Sequence, residues 1–474
     1  MSQAEYTNSR RRYWDDFSDD LPERWKGIRH YYLHRLTSSY RFLVPEGMRV
    51  LELGCGQGDL LAALRPAYGV GVDFSAKMIA HGRNRFPQVH FHEGDVHCVD
   101  LGETFDYIIL SDLVGDLWDV QKVLASVLRH CHPGTRVLIN SYSRVWEIPR
   151  KIAEVLGVAR PQPAQNWFTG DDIENLLYLS GFDTIRTTTD ILCPVYVPLL
   201  AALLNRYLVK LWPFRLFAMT YFFVSRPKPG VPNGPEPVVS VIVAARNEEG
   251  NVPAIFERVP RMGGGTELIF VEGGSQDDTW GAIEREMPRY PHLDVKLFKQ
   301  PGKGKGDAVR TGFREATGGI LMILDADLTV PPEDLPRFYE IVRNGTAEFA
   351  NGVRLVYPME DRAMRFFNHI GNRFFSFAFS WLLGQRIKDT LCGTKVFSRD
   401  NYAQIAANRA YFGDFDPFGD FDLIFGAAKL NLKIVDVPVR YGERKYGETN
   451  IQRWRHGVIL LRMVLTAMRR IKFV

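Results

Sequence analysis

The sequence of 474 residues predicts two α/β domains in succession. Short apolar runs alternate with amphipathic helical patterns in both halves, which is typical of parallel sheets covered by helices. Between the halves, residues 225–239 carry five prolines and two glycines, the composition of an extended linker. We therefore expect a first domain over 1–226, a linker over 227–237 and a second domain over 238–474.

The composition excludes few functions, but it indicates the cellular compartment. Lys and Arg number 59 against 55 Asp and Glu, so the formal net charge is only +4 and gives no argument for a nucleic-acid partner. The five cysteines are scattered without a C-x-x-C pair, so neither a disulfide framework nor a zinc site is indicated, and a reducing cytosol fits best. The polar, charged N-terminus is unlike a signal peptide.

The most apolar segment, residues 191–217, is expected not to cross a membrane. A spanning helix needs about 18 uncharged apolar residues. Three prolines interrupt this segment, and Arg206 and Lys210 add charge to it. Two alternatives remain: it lies against a bilayer, or it folds over its own domain.

In the first half, RVLELGCGQGDLLAAL predicts a strand, a glycine turn and a helix. Gly54, Gly56 and Gly58 would let the backbone approach a ligand at the helix N-terminus. The next predicted strand ends in Asp73, about 20 residues after Glu52, where an acidic side chain can hold two ribose hydroxyls.

Two further predicted strands end in polar residues, the third at Asp95 and the fourth at Ser111 and Asp112. Together these strand ends outline a nucleoside pocket at the carboxyl edge of a sheet. A dinucleotide-binding oxidoreductase is the alternative, but the glycines read G-x-G-x-G and lack the G-x-G-x-x-G spacing that seats a pyrophosphate.

With E-L-G-C-G-Q-G, V-D-F-S, E-G-D-V and PGTRVLINS, about residues 30–225 resemble class I S-adenosylmethionine-dependent methyltransferases, which have a Rossmann-like fold. The resemblance implies S-adenosylmethionine as cofactor. It places Glu52, Gly54 and Gly56 at the methionine end, Asp73 at the ribose, and Asp95 with Val96 at the adenine.

The same resemblance implies a closing antiparallel pair of strands, over 182–190 and 216–227, with the apolar segment inserted between them. The methyl acceptor is not readable from the sequence. Asp116 and Trp118, near the fourth strand, are weak candidates for contacting it, and ordinary helix residues are the equal alternative.

In the second half, VVSVIVAARNEEGNV predicts a buried strand and a polar loop, and ELIFVEGGSQDDTW a second strand ending in Glu272. QPGKGKGDAVRTGF then places Lys303 and Lys305 among glycines ahead of a helix. This resembles a phosphate cradle, although the Walker pattern G-x-x-x-x-G-K-[ST] is not matched.

GGILMILDADLTVPP predicts a buried strand whose end carries Asp325 and Asp327 on the same side. Two carboxylates so close would repel and raise each other's pKa unless a cation shares them. Mg²⁺ or Mn²⁺ would suit them, with substrate phosphates completing the shell. In the alternative, one aspartate caps the following turn and the other is solvated.

In this order the motifs resemble glycosyltransferase family 2, with the GT-A fold, over residues 238–450. The resemblance implies that the D-x-D holds a metal bridging the two phosphates of a nucleotide-sugar donor. It places Ala245, Glu248 and Glu272 at the base and ribose and Asp307 near the nucleotide. Glu272-Gly273 departs from the usual Asp-Asp pair, which puts the base preference in doubt.

IKDTLCGTKVFSRD resembles a segment of polyprenyl-phosphate glycosyltransferases and dolichyl-phosphate mannose synthases. The likeness places Asp389, Gly393 and Lys395 near the sugar and the acceptor. It also implies a phosphate-binding basic loop, here Arg440, Arg444 and Lys445, whose usual Ser-Lys ending is Thr449-Asn450 in this chain.

Asp420 and Asp422 are the candidates for a general base, which a hydroxyl acceptor would need and a phosphate acceptor would not. A helix N-cap is the alternative role for each of them.

The C-terminal stretch, residues 450–474, predicts a basic amphipathic helix suited to an anionic membrane surface. Its predicted apolar stripe comprises Ile451, Trp454, Val458, Leu461, Leu465 and Met468. The aromatic segment RFFNHIGNRFFSFAFSWLLG has similar character. Alternatively, both helices pack on the catalytic domain or on a partner subunit.

These expectations describe a cytoplasmic bifunctional enzyme, peripheral at the inner face of the cell membrane. The second domain would transfer a sugar, with inversion, to a polyprenyl phosphate or lipid-linked glycan. The first would methylate in the same cell-envelope pathway, since a tether raises local concentration. The alternatives are direct transfer to a polysaccharide hydroxyl and a membrane-associated assembly protein with one degenerate domain.

Overall fold

The computed structural model describes residues 2–19, 27–157, 159–357, 366–413, 419–444, 446–447 and 453–474. The chain divides into two compact units, residues 1–228 with 473–474, and residues 229–472. The division falls within the proline-rich segment. Lys445, Thr449, Asn450 and Ile451, which the sequence singled out, lie outside the described residues.

Unit 1 is built on a seven-stranded sheet with the order β3-β2-β1-β4-β5-β7-β6. Its strands are β1 (Arg49–Leu53), β2 (Tyr68–Asp73), β3 (His90–Glu93), β4 (Phe105–Ser111), β5 (Cys131–Tyr142), β6 (Phe182–Asp190) and β7 (Thr220–Pro227). The first five are parallel, whereas β7 runs antiparallel to β5 and β6. The Rossmann-like sheet with an antiparallel closing pair is therefore confirmed.

Helices cover both faces of this sheet, and an apolar core lies on each side. They are α1 (Gln3–Asp19), α2 (Gly27–Leu43), α3 (Asp59–Ala63), α4 (Ala76–Arg85), α5 (Val120–Val127), α6 (Glu147–Val155), α7 (Gly170–Leu179) and α8 (Leu200–Ala202). The strands β1, β2 and β4 are almost continuously apolar because both of their faces are covered.

The apolar segment between β6 and β7 is partly packed and partly exposed. Ile191, Ala201 and Val209 are fully buried against unit 1, whereas every residue of 195–200 and 211–217 is exposed. The alternative in which the segment folds over its own domain is therefore correct for its buried residues. Within the described ranges, no helix is long and apolar enough to cross a membrane.

Unit 2 has a second seven-stranded sheet with the order β10-β9-β8-β11-β13-β12-β14. Its strands are β8 (Val239–Ala245), β9 (Thr266–Glu272), β10 (Asp294–Lys299), β11 (Ile320–Asp325), β12 (Phe349–Val353), β13 (Lys395–Ser398) and β14 (Ile434–Pro438). The strands β8 to β11 are parallel, and β13 lies antiparallel between β11 and β12. The strand order reverses between β8 and β11.

Helices pack on this sheet. They are α9 (Val252–Arg258), α10 (Thr279–Glu286), α11 (Lys305–Glu315), α12 (Leu335–Arg343), α13 (Phe366–Leu383), α14 (Arg399–Ala407), α15 (Asp420–Lys429) and α16 (Arg453–Ala467). The strands with α9, α10 and α12 share a large apolar cluster.

The packed face of α16 is not the stripe that the sequence suggested. Leu460, Met463 and Ala467 are buried, whereas Leu461 and Leu465 on the predicted stripe are about half exposed. The described part of the helix thus has two apolar faces, and tertiary packing buries the one that carries Leu460, Met463 and Ala467. The aromatic helix α13 likewise buries some of its phenylalanines and exposes others.

Candidate active sites

Unit 1 contains a cavity of about 430 Å³ at the carboxyl edge of its sheet, where the strand order reverses between β1 and β4. All but one of the residues proposed for cofactor binding line this cavity. They are Glu52, Gly54, Gly56, Asp73, Asp95, Val96 and Ser111.

Asp73 shapes the glycine turn as well as lining the cavity. Its carboxylate accepts hydrogen bonds from the backbone N–H of Gly56 (2.8 Å) and of Ser75 (2.9 Å). Burial raises the pKa of Asp73 to about 6, although these two N–H groups oppose the shift. Gly54 and Gly56 have φ of 70° and 53°, a conformation that favours glycine and allows the turn to close on the carboxylate.

Glu52 and Asp95, which also line the cavity, have different partners. Glu52 accepts from the Leu61 N–H (3.1 Å) at the start of α3, and burial raises its pKa well above the usual value. Asp95 accepts from the ring Nδ1 of His97 (2.6 Å) and from its backbone N–H (2.9 Å), and His97 lowers the pKa of Asp95. The cavity therefore combines a carboxylate with raised pKa and one with lowered pKa.

Gly58 does not line the cavity, and the structure gives it another function. It precedes α3 with φ of 79°, and a Cβ atom there would lie 2.6 Å from the ring of Phe91. Glycine at this position therefore allows α3 to pack against Phe91, so the expectation of a direct ligand approach does not describe it.

The first two helices supply cavity residues that sequence reasoning missed. Tyr6, Arg10 and Trp14 of α1 line the cavity with His34 of α2. The spacing of 6, 10 and 14 puts three large side chains on one helical face, a signal that could have been noticed. Nothing in that spacing indicates which sheet edge the helix covers.

Asp116 lies in the cavity, held from α1, whereas Trp118 does not line it. Arg10 Nη1 and Trp14 Nε1 each lie 3.1 Å from a carboxylate oxygen of Asp116. Trp118 is 44% exposed, with its ring 5.3 Å from that of Tyr6. Of these two weak candidates for contacting the methyl acceptor, only Asp116 lines the cavity.

Asp112 is also in the cavity wall, where tyrosine and amide groups surround it. The hydroxyl of Tyr32 lies 2.9 Å from both carboxylate oxygens, and Asn140 Nδ2 donates to Oδ1 at 2.5 Å. The hydroxyl of Tyr40 donates in turn to Asn140 at 2.6 Å. Neutral donors from α2 and β5 thus fix the direction of the Asp112 carboxylate.

In unit 2, Asp325 ends β11 beside Ala244 of β8, at the point of strand-order reversal. Its Oδ1 accepts from Lys305 Nζ at 2.5 Å. Burial opposes ionisation, but Lys305 outweighs it and lowers the pKa of Asp325. A lysine of the predicted phosphate cradle is therefore brought directly to the first aspartate of the D-x-D.

Asp327 has its own cation and also stabilises the turn that follows β11. Arg444 Nη2 lies 2.7 Å from its Oδ2, while its Oδ1 accepts from the N–H (3.2 Å) and hydroxyl (2.8 Å) of Thr329. The turn-cap alternative is thus correct for Asp327, and it coexists with the ion pair.

Arg444 joins the D-x-D to the loop after β8. Its Nη1 lies 3.2 Å from Glu248 Oε1, and Glu248 Oε2 accepts from Asn251 at 2.7 Å. Burial raises the pKa of Glu248. Arg440 is not part of this group, because it is exposed and its guanidinium lies over the ring of Tyr357.

The remaining nucleotide candidates organise the loops at the same sheet edge. Ala245 ends β8 beside Glu272 of β9, and Glu272 Oε1 accepts from the Ser275 N–H at 2.5 Å. Asp307 accepts from the Gly302 N–H at 2.8 Å and so holds the glycine-rich turn ahead of α11. Each carboxylate thus holds the backbone of a loop at this sheet edge.

The structure separates Asp420 from Asp422. Lys395 Nζ lies 3.8 Å from Asp420 Oδ1, whereas Asp422 Oδ2 pairs with Arg409 Nε at 2.9 Å. Although burial opposes it, Asp325 and then Asp420 raise the pKa of Lys305, so Asp420 belongs to the D-x-D cluster. The N-cap of α15 is Gly419, and the N-cap alternative is therefore wrong for both aspartates.

Asp389 is buried beneath an arginine. It is only 1% exposed, and it accepts from Arg354 through Nε (2.7 Å), Nη2 (3.0 Å) and the backbone N–H (3.1 Å). Burial opposes ionisation, but Arg354 lowers the pKa of Asp389. The structure therefore places Asp389 as the anchor of Arg354, a residue that the sequence did not suggest.

Gly393 lies directly against the carboxylate of Asp325, and a Cβ atom there would overlap both carboxylate oxygens. Lys395, two residues on, is completely buried and contributes to lowering the pKa of Asp325. The segment that resembles polyprenyl-phosphate glycosyltransferases thus forms one wall of the D-x-D cluster.

Family comparisons agree with the two folds. Residues 26–187 match the family model "Methyltransferase domain", and residues 240–405 match "Glycosyl transferase family 2". The chain therefore contains two domains of transferase families. Its first is a methyltransferase domain and its second is a family 2 glycosyltransferase domain.

Similar proteins include a dolichol-phosphate mannosyltransferase of Pyrococcus furiosus, 36% identical over 25% of this chain and 33% of that protein. A dolichyl-phosphate hexose transferase of Haloferax volcanii is 25% identical over 47% of this chain and 90% of its own length. A solved SAM-dependent methyltransferase of Thermotoga maritima has 16% identity and a TM-score of 0.33, covering 42% of this chain and 90% of that one. The chain spans about a third of the Pyrococcus protein.

Gly393→Ala should displace the Asp325 carboxylate. Overpacking of this kind costs about 1–3 kcal/mol, because the added methyl group overlaps the carboxylate and the strand beneath is tightly packed. We expect a lower midpoint of thermal unfolding. The matched control is Gly230→Ala, since nothing lies within 4 Å of a Cβ atom there. Equal midpoints for the two variants would contradict the contact.

Proposed function

We propose that the second domain transfers a sugar from a nucleotide-diphosphate sugar to a polyprenyl phosphate or lipid-linked glycan, with inversion at the anomeric carbon. The observation that carries the proposal is the cluster at the ends of β8 and β11, in which Asp325, Asp327 and Glu248 meet Lys305 and Arg444. The relatives named for transfer to dolichyl phosphate support the choice of acceptor.

The residues of the cluster fit a divalent metal. Carboxylate oxygens of Asp325 and Asp327 are the hard ligands that Mg²⁺ and Mn²⁺ prefer. Among the described residues, no group of three or more His, Cys, Asp or Glu converges, so donor phosphates would supply other ligands, as is usual for Mg²⁺. When bound, the ion stabilises the negative charge of the departing nucleoside diphosphate.

Lys305 and Arg444 are the side chains suited to the donor phosphates. Each is already held at a D-x-D carboxylate, so a phosphate arriving there meets cations whose positions are fixed. Arg444 offers two guanidinium nitrogens, which match two phosphate oxygens. Asp327 and Glu248 thus position Arg444, and Asp325 positions Lys305.

In the proposed reaction, an acceptor oxygen forms a bond to the anomeric carbon. The bond from that carbon to the donor phosphate breaks, and its electron pair leaves with the nucleoside diphosphate. A lipid phosphate is already an anion at neutral pH and needs no base. A polysaccharide hydroxyl, the second candidate acceptor, would give its proton to Asp420, because Asp420 contributes to the raised pKa of Lys305 whereas Asp422 is paired with Arg409.

For the first domain we infer methyl transfer from S-adenosylmethionine. The supporting observation is the cavity at the β1–β4 reversal, which Asp73 lines together with the Gly54–Gly56 turn. In the proposal, Asp73 accepts from two ribose hydroxyls. We further propose that both activities serve one cell-envelope glycan pathway, because a tether raises the local concentration of one site near the other's product.

We also propose peripheral contact with the inner face of the cell membrane. On α16, Val458, Leu461 and Leu465 are exposed, and Arg462 and Arg469 are exposed near them. Exposed apolar side chains flanked by arginines suit an anionic bilayer surface. Because Glu272-Gly273 departs from the usual Asp-Asp pair, one alternative function is kept. In it, the protein is an assembly protein whose second domain binds a ligand without catalysis.

Nucleotide-sugar binding should depend on the D-x-D. The test is a thermal-shift assay with UDP-, GDP- and dTDP-sugars, each with and without Mn²⁺. One class of nucleotide sugar should raise the unfolding midpoint only when the metal is present. The expected rise is about 5 °C at a ligand concentration of roughly 100 times Kd. Asp325→Asn with Asp327→Asn should abolish the shift. Asp422→Asn is the matched control, because its carboxylate pairs with Arg409. If no donor stabilises the protein while S-adenosylmethionine does, the second domain is a binding module.

The effect of Asp420→Asn should identify the acceptor. With a polyprenyl phosphate the initial rate should stay within about tenfold of wild type, because the nucleophile is already ionised. With a hydroxyl acceptor, loss of the general base should lower the rate by about 10²–10⁴. A hundredfold loss on polyprenyl phosphate would contradict the proposed mechanism.

Binding of S-adenosylmethionine should depend on pH through Asp73. Ribose hydroxyls donate to the ionised carboxylate, and its pKa is raised to about 6, so affinity should be constant above that pH. Below it, Kd should rise by up to about tenfold per pH unit. Calorimetry from pH 5 to 8 measures the Kd of S-adenosylmethionine. Asp73→Asn should remove its pH dependence. The control, Asp100→Asn at an exposed ion pair, should keep it. A flat wild-type profile argues against the assignment.

A further inference from the structure

The insert between β6 and β7, residues 191–219, presents apolar side chains to solvent. Its two exposed stretches, 195–200 and 211–217, include Leu199, Trp212 and Phe217, which are 89%, 74% and 60% exposed. Soluble monomers rarely leave contiguous apolar surface of this extent in water, so such surface marks a binding site.

Buried polar contacts hold this insert in place. Asn205 is 1% exposed, and its Oδ1 accepts from the N–H groups of Leu192 (2.7 Å) and Cys193 (2.8 Å). Its Nδ2 donates to the Cys193 carbonyl (2.7 Å) and to the hydroxyl of Tyr31 (3.0 Å). Because the amide group of Asn205 makes four hydrogen bonds, it fixes the backbone at residues 192–193 relative to its own helical turn.

A second anchor ties the insert to α2 and β6. Asp190 accepts from Arg35 Nε (3.2 Å) and from the Ser39 hydroxyl (2.6 Å), and Lys210 Nζ lies 3.8 Å away. Burial opposes ionisation, but Lys210 and Arg35 lower the pKa of Asp190. The exposed apolar stretches are therefore displayed on a fixed scaffold.

Helix α6 extends the same surface. None of its residues is buried, and Ile148, Ile152 and Val155 are exposed along one face. Trp146 Nε1, just before α6, donates to the carbonyl of Phe217 in the insert at 2.9 Å. We call the insert stretches 195–200 and 211–217, together with this stripe of α6, the insert face.

Charge favours an anionic occupant for the insert face. The insert contains no Asp or Glu, and its cations are Arg206, Lys210 and Arg215. Lys210 is paired with Asp190, whereas Arg206 and Arg215 are exposed, although Arg206 Nε also donates to the Phe473 carbonyl at 2.8 Å. A second copy meeting this face symmetrically would bring like charges together, whereas anionic lipid headgroups complement them.

Helix α2 lies between the insert and the cavity of unit 1. His30, His34 and Thr37 line the cavity from this helix. Tyr31 and Arg35, on an adjacent face, contact the insert through Asn205. The insert is therefore separated from the cavity by a single helix, α2.

We propose that the insert face seats the methyltransferase domain on an anionic lipid bilayer. Apolar side chains enter the headgroup region, Trp212 sits at the boundary where its amphipathic ring is favoured, and Arg206 and Arg215 meet headgroup phosphates. Docking brings the cavity close to the bilayer surface, so its methyl acceptor is a molecule presented there. This last point rests on the methyl transfer proposed above.

Vesicle flotation of the full chain tests the docking. Because α16 is also proposed to touch lipid, the background is Leu461→Glu with Leu465→Glu. In this background the chain should float with phosphatidylglycerol-containing vesicles and more weakly with phosphatidylcholine alone. Adding Leu199→Glu and Phe217→Glu should lower the partition coefficient at least about tenfold, since two large apolar side chains are removed from the contact.

The matched control adds Leu179→Glu and Val231→Glu, which make the same charge change at exposed positions outside the insert face. Equal flotation of the two variants, or equal binding to neutral and anionic vesicles, would overturn the proposal. So would light scattering that shows a wild-type dimer dissociated by the insert variant, because the face would then join two copies.

Calorimetry with S-adenosylmethionine separates this proposal from the proposed function. We expect the insert variant to bind the cofactor with wild-type affinity, because the substituted side chains do not line the cavity. Lost flotation with intact cofactor binding supports the docking. A wild-type chain that floats but binds no cofactor would contradict methyl transfer and leave the docking standing.

Discussion

Neutralisation of carboxylates at the ends of parallel strands is the constraint on which both sites depend. A carboxylate drawn out of water at a sheet edge is unstable unless an opposite charge or several donors meet it. In unit 1, backbone N–H groups of the glycine turn meet Asp73. In unit 2, Lys305 meets Asp325 and Arg444 meets Asp327. Each partner comes from a loop that the strand end thereby orders.

The kind of partner distinguishes the chemistry of the two units. Asp73 has only neutral donors, so burial keeps its pKa high and leaves it suited to hydroxyl groups of a neutral ribose. Asp325 is held by a lysine that outweighs burial and keeps it ionised. A cluster of paired anions and cations suits a pyrophosphate, whose charge the cations share when it enters.

Exposed apolar surface is the second feature that the units have in common. In unit 1 it is displayed by an insert that Asn205 and Asp190 fix from beneath. In unit 2 it lies on α16, whose opposite face packs within its own unit. Acidic residues are lacking in the insert, and arginines are exposed on α16. This combination is the basis of the lipid contacts proposed above.

The sequence by itself determined the two α/β domains, the order of the main strands and the residues at their carboxyl ends. Local pattern suffices for these, because period and turn chemistry are properties of neighbouring residues. Only the tertiary structure decided which partners those residues meet. It placed Asp420 beside Lys395 but Asp422 beside Arg409, buried Asp389 under Arg354, and turned α16 onto an unpredicted face. Such choices depend on contacts between segments far apart in the chain, which carry no local signature.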